Sequence, residues 1–270
     1  MTVLEAADQP GGQIRLTAQS SRRREMISII DWRMQQCEKR GVSFLFNTYA
    51  EMSDVVALEP QVVVVATGGI PNMELFETKG DLKNVSSAWD IISGEVKPAE
   101  HVLIYDESGD HPGLQAAEIV ANAGSRVEVM TPDRTIAPEV MAMNLVPYMR
   151  TLQGRDVTFT VARRLLNLVQ SGNKLKAEIG TDYSSLKTFS EYDQVVLNYG
   201  TLPVDELYFK LKPLSQNEGA VDYEALISGK TQKLFQNTNG KFQLFRIGDA
   251  VSARNTHAAI YDALRFMKDI

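Results

Sequence analysis

Two segments of the sequence share one pattern, an apolar run that ends in a turn rich in glycine and proline. Four consecutive valines, 62–65, lead into Thr67-Gly68-Gly69-Ile70-Pro71, and the apolar run 195–197 leads into Gly200-Thr201-Leu202-Pro203. Short runs of β-branched apolar residues are typical of strands buried in a parallel sheet, and glycine and proline end such strands. The repetition predicts two related α/β units of the nucleotide-binding type in one chain.

The elements around these runs alternate between strands and helices. Apolar periodicity and turn residues predict strands over 2–5, 42–46, 61–65, 101–105, 126–130, 157–161, 165–170, 175–179, 194–197 and 242–247, and helices over 24–40, 114–123 and 256–268. This order predicts an α/β fold with two Rossmann-like three-layer units. The first unit is expected to be discontinuous, built from residues 1–96 and 204–270, with the second, 97–203, inserted between its halves.

Composition narrows the classes of function. The chain has 28 lysines and arginines against 34 aspartates and glutamates, which disfavours binding along a nucleic-acid backbone. Its apolar runs fall far short of the ~20 residues that span a bilayer, and Glu5 and Asp8 stand where a secretory signal would be basic and apolar. One cysteine and three scattered histidines disfavour disulfides and a metal site. We therefore expect a cytoplasmic protein without nucleic-acid or membrane partners.

The first candidate binding residues follow the first predicted strand. Glu5 ends this strand, and Gly11, Gly12 and Gln13 follow after a short turn. An acidic residue at the end of an early Rossmann strand accepts hydrogen bonds from ribose hydroxyls, and glycine lets the backbone approach a cofactor closely because it has no Cβ. The same residues also fit a surface glutamate and a tight turn, so spacing alone leaves both interpretations open.

A second candidate pair, Gly248-Asp249, lies between the last predicted strand and the last predicted helix. A carboxylate there can accept a hydrogen bond from a ligand hydroxyl, and the N-terminus of the following helix stabilises negative charge on a bound ligand. An ordinary helix cap is the alternative. His257, at the start of that helix, is either a cofactor-contacting residue or a structural one, and Thr67 and Gly68 are expected to line the same crevice.

Together these motifs resemble a family of flavoproteins. The motifs are Val3-Leu4-Glu5-Ala6 with Pro10-Gly11-Gly12-Gln13, Ala66-Thr67-Gly68, and Ile247-Gly248-Asp249-Ala250. Their order and spacing resemble the C-terminal region of trimethylamine dehydrogenase, histamine dehydrogenase and 2,4-dienoyl-CoA reductase over essentially the whole chain. The resemblance implies a fold like that of pyridine-nucleotide-disulfide oxidoreductases. It also implies that the first domain binds FAD or ADP, downstream of an old-yellow-enzyme-like barrel with FMN and an iron–sulfur cluster.

One departure from the family pattern concerns the start of the first unit. The family places a strand and a Gly-x-Gly-x-x-Gly loop immediately before the segment that opens this sequence. The first unit is therefore expected to lack its first strand and to bind a dinucleotide poorly on its own. Because a missing central strand leaves sheet edges unpaired, we expect a complementing chain, a homodimer or a rearranged strand order.

A second departure lies in the inserted unit. Ser108, Asp110 and Gly113 stand where the family fingerprint has three glycines, and Thr131 stands where an acid reads the ribose. Asp110 is expected to bring a carboxylate to the point where a pyrophosphate must approach the backbone. NAD(P)H binding is therefore doubtful. Members like trimethylamine dehydrogenase, which pass electrons to an external flavoprotein, are the closer comparison.

The resemblance implies the nucleotide-binding part of a flavin-dependent oxidoreductase for amines or enoyl-type substrates. It would hold FAD or ADP and support electron transfer with an FMN and iron–sulfur barrel carried by another domain or subunit, with an electron-transfer flavoprotein as acceptor. No residue of this chain is expected to be catalytic. Two other functions stay open, namely an NAD(P)H-dependent flavin reductase and a non-catalytic docking module with decayed nucleotide sites.

Overall fold

Strands and helices alternate along the computed structural model, which describes residues 1–74 and 82–267. The strands are β1 (Thr2–Leu4), β2 (Ser43–Leu45), β3 (Val62–Val65), β4 (Gly69–Pro71), β5 (Val85–Ser87), β6 (His101–Asp106), β7 (Arg126–Met130), β8 (Thr158–Thr160), β9 (Arg164–Ser171), β10 (Lys174–Thr181), β11 (Ser184–Tyr192), β12 (Gln194–Asn198), β13 (Thr201–Pro203) and β14 (Gln243–Arg246). The α-helices are α1 (Gly12–Ala18), α2 (Ile27–Lys39), α3 (Met52–Ala57), α4 (Ala88–Ser93), α5 (His111–Asn122), α6 (Ala142–Gly154), α7 (Glu206–Leu211), α8 (Tyr223–Ser228) and α9 (Thr256–Met267). The predicted α/β class is confirmed.

The chain divides into two compact units. Unit 1 comprises Met1–Ile14, Ile27–Ile70 and Thr201–Ile270, and unit 2 comprises Arg15–Met26 and Pro71–Gly200. These boundaries differ from the expected 1–96, 97–203 and 204–270. Strand β5, expected in the first domain, hydrogen bonds to β12 in the sheet of unit 2, and Arg15–Met26 also belongs to unit 2. Sequence spacing could not show this, because tertiary pairing decides the unit to which each segment belongs. The nucleotide type of each domain stays a prediction.

Unit 2 is built on a five-stranded parallel sheet in the order β5-β12-β6-β7-β8. Successive side chains of a strand point to opposite faces. Val102 and Ile104 of β6 pack with residues of α4, α5 and α6, whereas Leu103 and Tyr105 pack with residues of the antiparallel sheet β11-β10-β9. The unit therefore has three layers, with β6 covered on both faces.

Unit 1 contains short strand pairs. Strands β1 and β2 pair in parallel, β3 and β14 pair in parallel, and β4 pairs with β13. Leu4 of β1 packs against the hydrophobic cluster that contains Val65 of β3 and Leu244 of β14, so the two parallel pairs share one core. Within the described residues these pairs do not hydrogen bond to each other. The expected complementing chain, homodimer or rearranged order stays a prediction.

The helices are short. Among the described residues the longest helices are α2 and α6, with 13 residues each, against the ~20 needed to span a bilayer. In the part of the chain that the structure describes, no helix is long and apolar enough to cross a membrane.

Candidate functional site

The Gly248-Asp249 pair of unit 1 lies in a tight turn between β14 and α9. Gly248 has φ of +62°, in the left-handed region that favours glycine. A Cβ at Gly248 would also lie only 3.2 Å from the Cβ of Ala259 on α9. Backbone conformation and close packing therefore both favour glycine here, and the turn places Asp249 beyond the carboxyl end of β14. Ligands of parallel α/β sheets bind at that end of the strands.

Asp249 is half-buried and accepts hydrogen bonds from neutral donors. Its Oδ2 accepts from Gln13 Nε2 at 2.9 Å and from Thr201 Oγ1 at 3.3 Å, and its Oδ1 accepts from the backbone N–H of Arg254 at 3.1 Å. The structure thus joins Gln13 and Asp249, which were predicted from separate motifs. It adds Thr201 and Arg254, which the sequence analysis did not select. The repeated Gly-Thr-Leu-Pro turn was the one feature that could have pointed to Thr201.

The Gly11-Gly12 pair begins a helix where only a turn was predicted. Gly11 and Gly12 have φ of +122° and +44°, and α1 starts at Gly12. Among the described residues, no heavy atom outside the immediate chain would lie within 4 Å of a Cβ at Gly12. Backbone conformation, not crowding, therefore favours glycine at this position. The turn directs Gln13 to Asp249.

Thr67 and Gly68 follow β3 and are tied to the chain that follows β13. The Thr67 hydroxyl donates to the carbonyl of Val204, and the Val204 N–H donates to the carbonyl of Gly68 at 3.0 Å. Gly68 has φ of +72°, and a Cβ there would meet open space among the described residues. The Thr67 hydroxyl therefore has a structural partner, and the expected role of this pair in lining a cofactor crevice stays a prediction.

Glu5 and His257 make contacts that involve neither Gln13 nor Asp249. Glu5 follows β1, is half-buried, and its Oε1 accepts from the N–H of Ala7 at 3.0 Å. His257 is exposed in the first turn of α9, where its ring stacks parallel to that of Tyr261 with centroids 6.4 Å apart. Their predicted cofactor contacts stay predictions.

The loop between β6 and α5 in unit 2 carries a buried carboxylate that the sequence analysis did not select. Asp106, the last residue of β6, is 1% exposed. Its Oδ1 accepts from the Gly109 N–H at 3.0 Å and from Asn198 Nδ2 at 2.8 Å, and the same Nδ2 lies 3.2 Å from Ser108 Oγ. Burial raises the pKa of Asp106 to about 6, against the lowering effect of these hydrogen bonds. A carboxylate of the protein therefore uses a loop N–H of the kind that binds phosphate in a Rossmann fingerprint.

The other loop residues are arranged around Asp106. Asp110 precedes α5, and its Oδ1 accepts from the His111 N–H at 2.7 Å, as a helix cap. Gly113, the only glycine retained from the fingerprint, packs on Asp106, because a Cβ there would lie 2.5 Å from Asp106 Oδ2. The carboxylate enclosed by the loop is thus that of Asp106, while Asp110 serves the helix end.

In residues 1–74 and 82–267, no group of three or more His, Cys, Asp or Glu residues is arranged to hold a metal ion.

Comparison with known proteins identifies relatives over the whole chain, although no protein-family model matches it. The chain is 62% identical over 268 residues to a probable N-methylproline demethylase of Rhizobium meliloti. It is 36% identical over 278 residues to an N,N-dimethylglycine/sarcosine dehydrogenase of Chromohalobacter salexigens. The matches cover 99% and 100% of this chain but 39% and 40% of the relatives. The chain therefore spans about two fifths of the length of the curated relatives it matches.

Solved structures share the fold. A 2-naphthoyl-CoA reductase in complex with 2-naphthoyl-CoA matches with a TM-score of 0.76 at 25% identity, over 100% of this chain and 36% of that one. Histamine dehydrogenase from Rhizobium sp. 4-9 matches with a TM-score of 0.75 at 18% identity, over 96% and 38% of the two chains. The solved structures thus share the α/β fold of this chain, and the curated relatives are named as a demethylase and a dehydrogenase of N-methylated amino acids. These comparisons confirm the predicted resemblance to the family of trimethylamine dehydrogenase, histamine dehydrogenase and 2,4-dienoyl-CoA reductase.

Proposed function

We propose that this chain is the nucleotide-binding part of a flavin-dependent oxidoreductase that acts on small N-methylated amino acids. The relatives named N-methylproline demethylase and N,N-dimethylglycine/sarcosine dehydrogenase have such compounds in their names, which favours amines over enoyl-type substrates. The chain covers about two fifths of these relatives, and none of its own residues is assigned to catalysis. Substrate oxidation is therefore assigned to the remaining part of the enzyme.

Unit 1 is the proposed site for FAD or ADP. The observation that carries this proposal is the half-buried Asp249 carboxylate, which accepts from the neutral side chains of Gln13 and Thr201. A ligand hydroxyl can replace either donor without breaking an ion pair, so the carboxylate is suited to a ribitol hydroxyl of FAD. Gly12 and Gly68, next to open space, allow the backbone to approach the ligand, and Glu5 is assigned to the ribose of the adenosine.

FAD and ADP give the unit different tasks. Bound FAD supplies an isoalloxazine that carries electrons, whereas ADP supplies only a bound nucleotide. We propose that electrons come from a barrel with FMN and an iron–sulfur cluster, held in the rest of the enzyme or in another subunit. An electron-transfer flavoprotein is the proposed acceptor.

Unit 2 is proposed not to bind NAD(P)H. The carboxylate of Asp106 accepts the Gly109 N–H, and it lies beside Gly113 where the third fingerprint glycine is expected. An incoming pyrophosphate would have to displace this carboxylate and would be repelled by its charge. An NAD(P)H-dependent flavin reductase is the function that a test must exclude.

Calorimetric titration of the purified chain with FAD, ADP, NADH and NADPH tests the proposal. A second protein is also titrated, in which an extra segment is fused before Met1. This segment is the sequence that immediately precedes the matched region of the Rhizobium meliloti relative, and it is included to supply the expected first strand. We expect FAD affinity to fall at least about tenfold in Asp249→Ala, since a hydrogen bond to a charged group contributes about 1.5–3 kcal/mol. ADP affinity is expected to fall in Glu5→Ala.

Each result separates the candidate functions. Tight NADPH binding by the wild-type chain would support the flavin reductase. A lack of nucleotide binding by both proteins would support the docking module. The matched control is Asp222→Ala in the same unit, which removes the cap of α8, where Asp222 Oδ1 accepts from the Ala225 N–H at 3.0 Å. It is expected to leave both affinities within about twofold of wild type.

A further inference from the structure

A second carboxylate, that of Asp262 on α9, also contacts the Gly248-Asp249 turn. Its Oδ2 accepts from the backbone N–H of Gly248 at 3.0 Å, and it forms an ion pair with the guanidinium of Arg254. The Arg254 guanidinium lies 3.4 Å from the carbonyl of Gly248, and the Arg254 backbone N–H donates to Asp249. Asp262 and Arg254 therefore hold the turn at its first residue and at the carboxylate itself.

The turn depends on such contacts because its first residue is glycine. Gly248 has φ of +62°, and glycine on its own populates many other backbone conformations. The Asp262 side chain is only 17% exposed, and charge-assisted hydrogen bonds at such a site are shorter and stronger than neutral ones. The contacts of Asp262 therefore restrict the positions that Asp249 can adopt.

We propose that Asp262 is a positioning residue that acts through Gly248 and Arg254 and favours FAD over ADP at this site. The inference rests on the proposed function, in which Asp249 accepts from the ribitol of FAD while Glu5 binds the adenosine ribose. ADP contains neither ribitol nor isoalloxazine. Loss of the turn geometry therefore weakens binding of the flavin half of FAD and leaves binding of the adenosine half unchanged.

Titration of Asp262→Ala and Asp262→Asn with FAD and with ADP tests this difference. The chain and the version extended before Met1 are both measured. Asp262→Ala loses both contacts and is expected to weaken FAD binding at least about tenfold, with ADP binding within about twofold. Asp262→Asn keeps an oxygen acceptor for the Gly248 N–H but loses the charge that holds Arg254, so its loss of FAD affinity is expected to be smaller.

Arg254→Ala and the double variant show whether the two side chains act together. If Asp262 acts through Arg254, the double variant Asp262→Ala with Arg254→Ala binds FAD about as weakly as the weaker-binding single variant, because losses within one network are not additive. A double variant whose loss equals the product of both single losses would contradict the connection through Arg254.

The outcomes keep this inference apart from the proposed function. Asp222→Ala, which destabilises α8 without touching the turn, should change neither affinity. Equal loss of FAD and ADP affinity in Asp262→Ala would mean general destabilisation and would overturn the inference, as would unchanged FAD affinity while the wild type binds FAD. Wild-type binding of ADP without FAD would overturn it too. If the wild type binds neither nucleotide in either protein, the proposed function fails and this inference fails with it.

Discussion

Each unit has an aspartate at the carboxyl end of a parallel strand, yet the two carboxylates have opposite surroundings: Asp106 is the last residue of β6, and Asp249 follows β14. Asp249 of unit 1 is half-buried and accepts from side chains far away in the sequence, Gln13 and Thr201. Asp106 of unit 2 is 1% exposed and accepts from Gly109 of its own loop and from Asn198 of the neighbouring strand.

This difference shows why a motif position does not by itself define a binding site. In unit 1 two of the three donors to Asp249 are side chains, which can turn away and leave Asp249 Oδ2 to accept from a ligand. In unit 2 the loop N–H of Gly109 already points at an anion of the protein, so an external phosphate must compete with a covalently attached carboxylate. The direction of the donors, which depends on tertiary structure, separates the two cases.

The largest expected effect comes from crowding the buried carboxylate. Gly113→Ala places a Cβ 2.5 Å from Asp106 Oδ2, and Asp106 cannot swing away because it is buried and held at Oδ1. We expect the free energy of unfolding to fall by about 2–3 kcal/mol, as for other overpacked sites. Urea denaturation measures the loss, and hydrogen exchange of the amides of α5 and β6 assigns it to unit 2.

Gly154→Ala is the matched control for that substitution. Gly154 ends α6 in the same unit, and a Cβ there would meet open space among the described residues. Alanine favours helix over glycine, so this variant is expected to be unchanged or more stable by up to about 1 kcal/mol. Equal losses in the two variants would contradict the close packing of Gly113 on Asp106.

The next effect concerns the half-buried carboxylate. Asp249→Asn keeps the shape of the side chain but removes the negative charge that a ligand hydroxyl would contact. FAD affinity is expected to fall by about tenfold, with the urea midpoint close to that of wild type. A large loss of stability without a change in FAD affinity would assign Asp249 to the same structural class as Asp106.

Much of the fold could be predicted because buried strands leave a strong pattern. Strand β7 has the predicted bounds, and β3 and β12 follow from their β-branched runs. By contrast, β11 was missed. Seven of its nine residues are exposed, including the whole run from Ser184 to Phe189, so the alternation of apolar and polar residues that identifies a half-buried strand is absent.

The candidate site was predicted only in part. Local motifs indicated Gln13 and Asp249 separately, but their contact depends on the tertiary path between residues distant in the sequence. Asp106 was missed because an aspartate after a strand has the same sequence pattern whether its carboxylate faces solvent or its own loop. Burial and hydrogen-bond direction, which separate these cases, are properties of the folded chain.

A third prediction uses the raised pKa of Asp106. Its pKa is about 6 in the folded chain against the ordinary value of 3.8, so the folded state binds more protons than the unfolded state between these values. The stability from this group is present below pH 4 and is lost as the pH rises through about 6. In the wild type the free energy of unfolding should fall by about 1–3 kcal/mol between pH 4 and about 6 because of this group, and Asp106→Asn should remove that fall. Urea denaturation of both proteins from pH 4 to 7 measures the difference, and parallel curves would contradict it.

The smallest expected effect separates the direct partners of Asp249 from residues that contact ligand. Thr201→Val keeps the size of the side chain and removes the hydroxyl that donates to Asp249 at 3.3 Å, while Gln13 still donates at 2.9 Å. Because this hydrogen bond is long and Thr201 acts on the ligand only through Asp249, FAD affinity is expected to fall only about two- to fivefold. Thr201→Ser, which keeps the hydroxyl, should bind FAD like wild type. A loss in Thr201→Val as large as that in Asp249→Asn would instead mean that Thr201 contacts the ligand directly, and that the carboxylate is not the main acceptor at this strand end.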